Sequence, residues 1–329
     1  MRFKLALFAI LLAFSAHLGL GATVRLPFEK QNRSASALAI YIGNESDAAL
    51  DAAAAGDGSD ASWSSSRNRV KAVFDIAIAF GGANDLDGFR EAAFARRLLA
   101  QLQTLAPENR VDLLKYLRVH DELARTLAFS VRPGDHVQKT YQLINQWRKE
   151  RAQQVDKLPN LAVALAIVRS RPLSERINEN IAEAAPPRDV FDYYAGHESQ
   201  MVLGLSGMPV ELLVYVVDTT ASVEDMNWSL RKYGNDPNVG PLFFEIQYDY
   251  DSFEKGTQKK LDRAGFSLPN ILKFGGVCID QAYFAESVGK SIGVPTAIAT
   301  AAAADVGHAW IGYLQVKGST AAWNFDTGR

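Results

Sequence analysis

The spacing of apolar residues predicts that the middle of the chain is helical. In residues 87–106 the apolar side chains recur every three or four positions, as on the buried face of a helix, and Pro107 then ends the run. The same spacing continues over residues 111–127, and two further helices are predicted within residues 137–168. We therefore expect a helical region at residues 69–185. A packed helical cap and a partner-binding unit would both show this pattern.

Nearer the C-terminus the pattern changes to one that predicts strands. Residues 211–217 are almost wholly apolar and indicate a buried strand, whereas the alternation over residues 242–250 indicates a half-buried one. A helix is predicted between them at residues 220–233, with Ser222 as its N-cap. Two consecutive prolines mark the start of this part, so residues 186–329 are expected to form a second domain.

The stretch around Cys278 carries the strongest chemical signal in the chain. Gly275 and Gly276 indicate a turn, and apolar residues at helical spacing follow until Gly293. Cys278 is therefore expected in the first turn of a helix. There the unpaired backbone N–H groups and the helix dipole favour the thiolate, which is the form that attacks. The alternative for a lone cysteine is a small buried apolar residue.

Two further stretches predict a hairpin at the C-terminal end of the chain. Residues 307–314 and 321–326 have the composition of strands, and a turn is predicted between them. With the turn centred near residue 317, His308 and Asp326 lie at equal distances from it and are expected to oppose each other. Directly opposed side chains share one face and can form a hydrogen bond, whereas a shift of one residue would put them on opposite faces.

Cysteine, histidine and aspartate are residue types that nucleophilic catalysis at an acyl carbon can use together. A Cys278 thiolate would attack, His308 would take and return the proton, and Asp326 would orient the imidazole. The backbone N–H of Cys278 is a candidate donor to the oxyanion that forms. Asn270 and Gln281 are weaker candidates for a second donor.

The chain resembles the transglutaminase-like superfamily in three motifs that follow the order of its Cys-His-Asp core. The motifs are Gly275-Gly276-Val277-Cys278 at a helix start, Gly307-His308-Ala309-Trp310 on a strand and Trp323-Asn324-Phe325-Asp326 on the next. The resemblance implies an α+β, papain-like core with an antiparallel sheet. It also implies hydrolysis or acyl transfer at amide bonds, with Cys278 as the nucleophile, His308 as the base and Asp326 as the orienting acid.

The sequence departs from the family pattern in two places. Thr327 follows the acid, where family members often have a proline. The sequence also ends three residues after Asp326, where the family core usually adds further strands. The domain at residues 186–329 is therefore expected to be truncated at its C-terminus or to carry a short sheet.

The N-terminal segment has the pattern of a secretory signal peptide. A short basic start is followed by an apolar run over residues 5–18 and by small residues suited to cleavage near Gly21. We therefore expect residues 1–21 to be removed on export, with an uncleaved membrane anchor as the minor alternative. Residues 22–68, which include a stretch rich in Ala, Gly, Ser and Asp, are expected to form a flexible or disordered linker.

Composition narrows the classes of function. A net charge of −2 gives no indication of a nucleic-acid partner, and a single cysteine excludes an internal disulfide. No metal or other cofactor is expected, because His120, His136 and His197 lack the spacing of metal ligands.

The sequence therefore predicts a secreted, periplasmic or envelope thiol enzyme that acts on peptide or protein amide bonds. A membrane partner is expected only if the N-terminal segment stays uncleaved. The alternative is a non-catalytic, envelope-associated binding protein that retains the fold.

Overall fold

The computed structural model describes residues 35–81, 86–176, 185–302 and 307–329. The signal peptide predicted at residues 1–21 lies outside these ranges.

The first two helices fall where a linker was predicted. Helix α1 is Ala35–Ala55 and helix α2 is Asp60–Ile76, with the Ser59 hydroxyl accepting a hydrogen bond from the Ser62 N–H at the start of α2. The prediction of a flexible linker at residues 22–68 is therefore wrong over these helices. Its alanine content, which was interpreted as low complexity, belongs to the best helix-forming residue type, and buried Leu50 and Trp63 fix the two helices to the core.

The helices predicted between residues 87 and 168 are confirmed. In chain order this part contains a π-helical turn at Ala77–Gly81, α3 (Leu86–Leu102), α4 (Pro107–Leu117), α5 (Asp121–Ser130), α6 (Val137–Glu150), α7 (Ala152–Lys157), α8 (Pro159–Ser170) and α9 (Leu173–Arg176). Helix α8 is buried on nearly all sides and packs against α6. The apolar run at residues 161–168 of this helix therefore reflects a central position in the bundle.

Helices also dominate the second half of the chain. They are α10 (Pro187–His197) with a 3₁₀ turn at Glu198–Gln200, α11 (Val210–Val217), α12 (Val223–Tyr233), α13 (Leu242–Glu245), α14 (Tyr250–Lys255), α15 (Lys260–Ala264), α16 (Leu268–Phe274) and α17 (Cys278–Ser291). The N-cap predicted for α12 is confirmed, because the Ser222 hydroxyl accepts from the Asp225 N–H at 3.0 Å.

Two predicted strands are wrong. Residues 211–217 lie in α11, since a short apolar run fits a buried helix as well as a buried strand. Residues 242–250 form α13 and the start of α14, and only Tyr248 between them makes a single bridge, to Gly276. The alternation of residues 242–250 thus comes from a helical turn followed by an extended segment, not from one strand.

The sheet has three antiparallel strands in the order β1 (Thr296–Ala302), β2 (Gly307–Lys317) and β3 (Thr320–Asn324). The predicted C-terminal hairpin is therefore confirmed. The described part of the protein is mostly helical with this small sheet near its C-terminus, which is α+β in the broad sense of the prediction.

One continuous apolar core runs from the helical region into the sheet. It includes Ala49 of α1, Leu165 of α8, Phe284 of α17 and Tyr313 of β2. Among the described residues, the core therefore continues across the domain boundary that is predicted at residue 186. Within those residues, no helix combines the length and the apolar character needed to cross a membrane.

Candidate active site around Cys278

Two glycines shape the turn that leads into α17. Gly275 has φ +79°, in the left-handed region, and a Cβ there would lie 2.3 Å from the carbonyl oxygen of Gln247. A Cβ on Gly276 would lie 2.4 Å from the Cβ of Asp280. Both positions therefore exclude a side chain, which allows the chain to pass close to its neighbour and begin the helix at Cys278.

Asp280 fixes the start of α17. Its buried carboxylate accepts from the Val277 N–H at 2.8 Å and from Lys259 Nζ at 2.7 Å. This arrangement is half of a capping box, and the negative charge lies at the positive end of the helix dipole. Through these contacts Asp280 helps the helix to start.

Cys278 is the first residue of α17 and is half-buried. Among the described residues, no acceptor bonds its backbone N–H, which is one of the groups that every helix leaves unpaired at its N-terminus. The thiol thus lies where helix N–H groups favour negative charge.

Tyr248 comes near Cys278 through its bridge to Gly276, a proximity that the sequence did not reveal. Burial, and then the negative charge of a neighbouring Cys278 thiolate, raise the pKa of Tyr248. The tyrosine is held there by two hydrogen bonds of its flanking residues, since Gly276 N–H donates to Gln247 O at 3.0 Å and Asp249 N–H donates to Gly276 O at 2.9 Å. No local pattern marks such a contact, because the two residues are thirty positions apart and meet only through the fold.

The two weak candidates for a second oxyanion donor are engaged elsewhere. The Asn270 amide donates to the carbonyl oxygens of Ala264 and Gly265 at 2.9 and 3.0 Å. The buried Gln281 amide donates to Ile246 O at 2.8 Å. Both side chains therefore brace the loops around the site.

His308 lies near the start of β2, and its ring packs edge-on against buried Phe243 of α13, with ring centroids 6.4 Å apart. Helix α13 also packs against α17, so His308 lies beside a neighbour of the helix that carries Cys278. The exposed His308 ring also stacks on Trp310, with ring centroids 5.9 Å apart.

Asp326 follows β3 and does not oppose His308. The hairpin turns at Gly318 and Ser319, with Lys317 paired to Thr320, so the predicted centre of the turn was too early. The β2–β3 pairing ends at Tyr313 and Asn324, so Asp326 lies beyond the paired strands, whereas His308 pairs with Ala301 of β1. The predicted opposition of His308 and Asp326 is therefore wrong.

The chain turns directly after β3. The Asn324 side-chain oxygen accepts from the N–H groups of Asp326 and Thr327 at 2.9 and 3.2 Å. The Asp326 side chain is exposed. No hydrogen bond or ion pair joins Cys278, His308 and Asp326 in the part of the chain that the structure describes. The arrangement presents a thiol at a helix start without an assembled triad.

The other end of α17 is enclosed by hydrogen bonds. The Tyr193 hydroxyl donates to Ser291 O at 2.8 Å, and the Tyr194 hydroxyl lies 3.2 Å from Lys290 O and 2.9 Å from Val216 O, which share its proton. The Thr296 hydroxyl donates to Glu286 O at 3.0 Å. The last turn of the helix is thereby fixed to its neighbours.

A buried ion pair adds to this anchorage. Lys290 Nζ donates to Glu286 Oε1 at 2.8 Å and to the carbonyl oxygen of Asp218, which follows α11. Burial raises the pKa of Glu286. Asp218 in turn accepts through its carboxylate from Arg176 of α9, so the chain of contacts extends into the helical region.

The described histidines outside the hairpin each contact one polar group of a residue that lies nearby in the fold. His120 lies 3.2 Å from Asp156, His136 lies 2.9 Å from Glu175, and His197 Nδ1 lies 2.8 Å from Tyr193 O. The described residues contain no group of three or more His, Cys, Asp or Glu side chains that could hold a metal ion.

No protein-family model matches this chain, and no curated protein or solved structure matches it significantly. The resemblance to the transglutaminase-like superfamily rests on the three sequence motifs alone.

Proposed function

We propose that the protein is an exported thiol enzyme that acts on amide bonds of peptides or proteins through a thioester at Cys278. One observation carries the proposal: the lone thiol is half-buried at the first residue of a helix whose N–H groups are open there and whose far end is fixed in the core. A thiolate at such a position is a stabilised nucleophile. The motifs shared with the transglutaminase-like superfamily support the same chemistry.

The proposed reaction has two steps. The Cys278 thiolate attacks the carbonyl carbon of the amide, and the carbon–nitrogen bond breaks as the leaving nitrogen receives a proton. Water or an amine then attacks the thioester, releases an acid or a new amide, and returns the thiol. The oxyanion of each step would accept from the Cys278 N–H, and the neighbouring Tyr248 hydroxyl is our candidate for the second donor.

The proton transfers require His308, which lies against Phe243 of α13 and makes no hydrogen bond to Cys278 among the described residues. The proposal therefore includes a rearrangement at the start of β2 that turns the imidazole toward Cys278 when substrate binds. Catalytic hydrogen bonds often form only in the substrate complex. Asp326, which is exposed after β3, would have to approach His308 in the same rearrangement to orient it.

Trapping of the thioester tests the proposal. The full chain is incubated with an unfolded, unrelated protein and quenched in acid, and the peptide that contains Cys278 is examined by mass spectrometry for an acyl adduct. We expect an adduct that hydroxylamine removes. Cys278→Ala should lower amide turnover about a thousandfold or more, whereas Val316→Ala in the exposed hairpin should not. Equal turnover by Cys278→Ala and the parent protein would reject the proposal.

A non-catalytic binding protein is the second candidate. It is favoured by the strand pairing, because β3 ends before Asp326 and His308 pairs with Ala301 of β1, so His308 and Asp326 are not opposed. In that case His308→Ala and Asp326→Asn would leave the reactivity of Cys278 unchanged, and no acyl adduct would accumulate in any variant. In the enzyme, His308→Ala should lower turnover by at least about a hundredfold.

A further inference from the structure

The backbone of Tyr248 presents an unpaired strand edge next to Cys278. Tyr248 forms a parallel bridge with Gly276, in which the inward-pointing groups are Gln247 C=O and Asp249 N–H. In an extended chain, the N–H and C=O of the middle residue point to the opposite side. Neither group of Tyr248 has a hydrogen-bond partner among the residues that the structure describes.

We propose that this edge binds an extended segment of polypeptide by strand pairing, so that Cys278 acts on unfolded or extended stretches of proteins. The inference deepens the proposed function and rests on it only in that Cys278 is the group presented to the bound chain. An N–H and a C=O on one extended residue match the two groups of a single residue on an antiparallel partner, which then makes both hydrogen bonds. Addition of a strand in this way is a general mode of peptide recognition.

Exposed aromatic rings flank the same segment. Phe244 is 61% exposed, Tyr250 64% and Phe253 51%. The Tyr248 ring contacts two of them, with ring centroids 4.9 Å from Tyr250 and 5.8 Å from Phe253. Side chains alternate along a paired strand, so every second side chain of the bound segment would face these rings. Aromatic residues are enriched at protein interfaces, and we expect apolar side chains at those alternate positions.

The geometry also fixes what can reach the thiol. A paired chain would lie one strand spacing beyond Tyr248, and therefore about 9.5 Å from the backbone of Gly276. The main-chain amide that pairs with Tyr248 is thus too distant to react. A group carried on a side chain that crosses the Tyr248 ring can reach Cys278, and a probe must carry its reactive atom in this way.

Disulfide exchange tests the inference, because Cys278 is the only cysteine in the sequence. The probe is an acetylated and amidated peptide, Thr-Val-Thr-homocysteine-Thr-Val-Thr, with a series of analogues that are each N-methylated at one backbone position. Each peptide disulfide is equilibrated with the full chain in the presence of 2-mercaptoethanol, and mass spectrometry gives the fraction of Cys278 trapped. Cystamine, which has no backbone to pair, measures the reactivity of the thiol itself.

We expect the parent peptide to be trapped about tenfold more strongly than cystamine, because backbone pairing tolerates many sequences. N-methylation at the one position that donates to the Tyr248 carbonyl oxygen should lower trapping about tenfold, since it removes a hydrogen bond and blocks the approach. The other analogues should match the parent peptide. Trapping no stronger than that of cystamine, or equal trapping of every analogue, would overturn the inference while leaving the proposed function in place.

Failure of the proposed function gives a different result. No acyl adduct would then form on Cys278, whether or not cystamine reacts with the thiol. In that case hydrogen exchange over residues 246–250 of the Cys278→Ala variant is measured with and without a peptide that carries a central alanine. Slower exchange of the Tyr248 amide supports strand pairing, and unchanged exchange rules it out.

Discussion

The two ends of helix α17 differ in how their backbone groups are satisfied. At the C-terminal end the carbonyl oxygens of Glu286, Lys290 and Ser291 receive hydrogen bonds from hydroxyl groups of residues packed around them. At the N-terminal end the Cys278 N–H has no acceptor among the described residues, and the thiol beside it is half-buried. One helix therefore has two roles. Its anchored end supplies rigidity, and its open end supplies unpaired donors where negative charge can develop.

The anchored end should govern the free energy of unfolding. Lys290→Met leaves buried Glu286 without its cation and the Asp218 carbonyl without a donor, so we expect a loss of about 3 kcal/mol. Chemical denaturation measures this loss. The double variant Lys290→Met/Glu286→Gln should regain part of it, because the unpaired carboxyl is then absent. A single variant as stable as the parent would show that this end is not the anchor.

The open end of α17 should govern the reactivity of the Cys278 thiol. Gly275→Ala adds a Cβ at φ +79° that meets Gln247 O, and we expect a loss of about 2–3 kcal/mol together with a change in the position of Cys278. The rate of Cys278 alkylation per folded molecule should fall in this variant and stay unchanged in Lys290→Met. Gly318→Ala, at φ +59° in the hairpin turn with open space around it, is the matched control for backbone strain alone. Equal alkylation rates in Gly275→Ala and Gly318→Ala would remove the distinction between the ends.

A smaller effect is expected from a single hydroxyl at the anchored end. Tyr194→Phe keeps the buried ring and removes the proton shared by Val216 O and Lys290 O, which should cost about 1–2 kcal/mol. Tyr250→Phe removes a hydroxyl from a largely exposed ring and should leave the midpoint of thermal unfolding where it was. Equal midpoints of thermal unfolding in Tyr194→Phe and Tyr250→Phe would show that the Tyr194 hydroxyl does not stabilise this end of α17.

The smallest effect concerns the pH dependence of stability. Burial raises the pKa of Glu286 in the folded protein above the ordinary value of 4.5, so the folded state holds this proton more tightly than the unfolded state. The contribution of Glu286 to the free energy of unfolding is therefore fully present below about pH 4.5 and is lost as the pH rises through the folded pKa. In denaturation at a series of pH values, the free energy of unfolding should decline less steeply with rising pH in Glu286→Gln than in the parent protein. An identical slope in both proteins would contradict the assignment.

Local signals in the sequence were sufficient for the start of α17 and for the C-terminal hairpin. Gly275 and Gly276 are required by close approaches that only glycine allows, and the helix begins at Cys278 as predicted. The N-cap at Ser222 is equally local, since its hydroxyl bonds a backbone N–H three residues away. Such features follow from a few neighbouring residues and need no knowledge of the rest of the fold.

Features that depend on contacts between residues far apart along the chain could not be predicted from the sequence. The apolar run at residues 211–217 became a helix because its surroundings bury a helical stripe, and periodicity over so few residues cannot decide between the two forms. The hairpin register depended on the choice of Gly318 and Ser319 as the turn, and β3 ends at Asn324, so Asp326 lies beyond the paired strands and not opposite His308. Tyr248 reaches Cys278 only through the bridge to Gly276. The candidate nucleophile was therefore predictable, and its surroundings were not.

The reactivity of the thiol tests the central claim most directly. The full chain and a synthetic peptide of residues 274–283, which has the same local sequence without the anchored helix, are alkylated with iodoacetamide at about pH 6. We predict that Cys278 in the full chain reacts at least about tenfold faster than in the peptide, because only the folded helix holds unpaired N–H donors at the position of the thiol. Reaction of the full chain at the same rate as the peptide, or more slowly, would contradict the account.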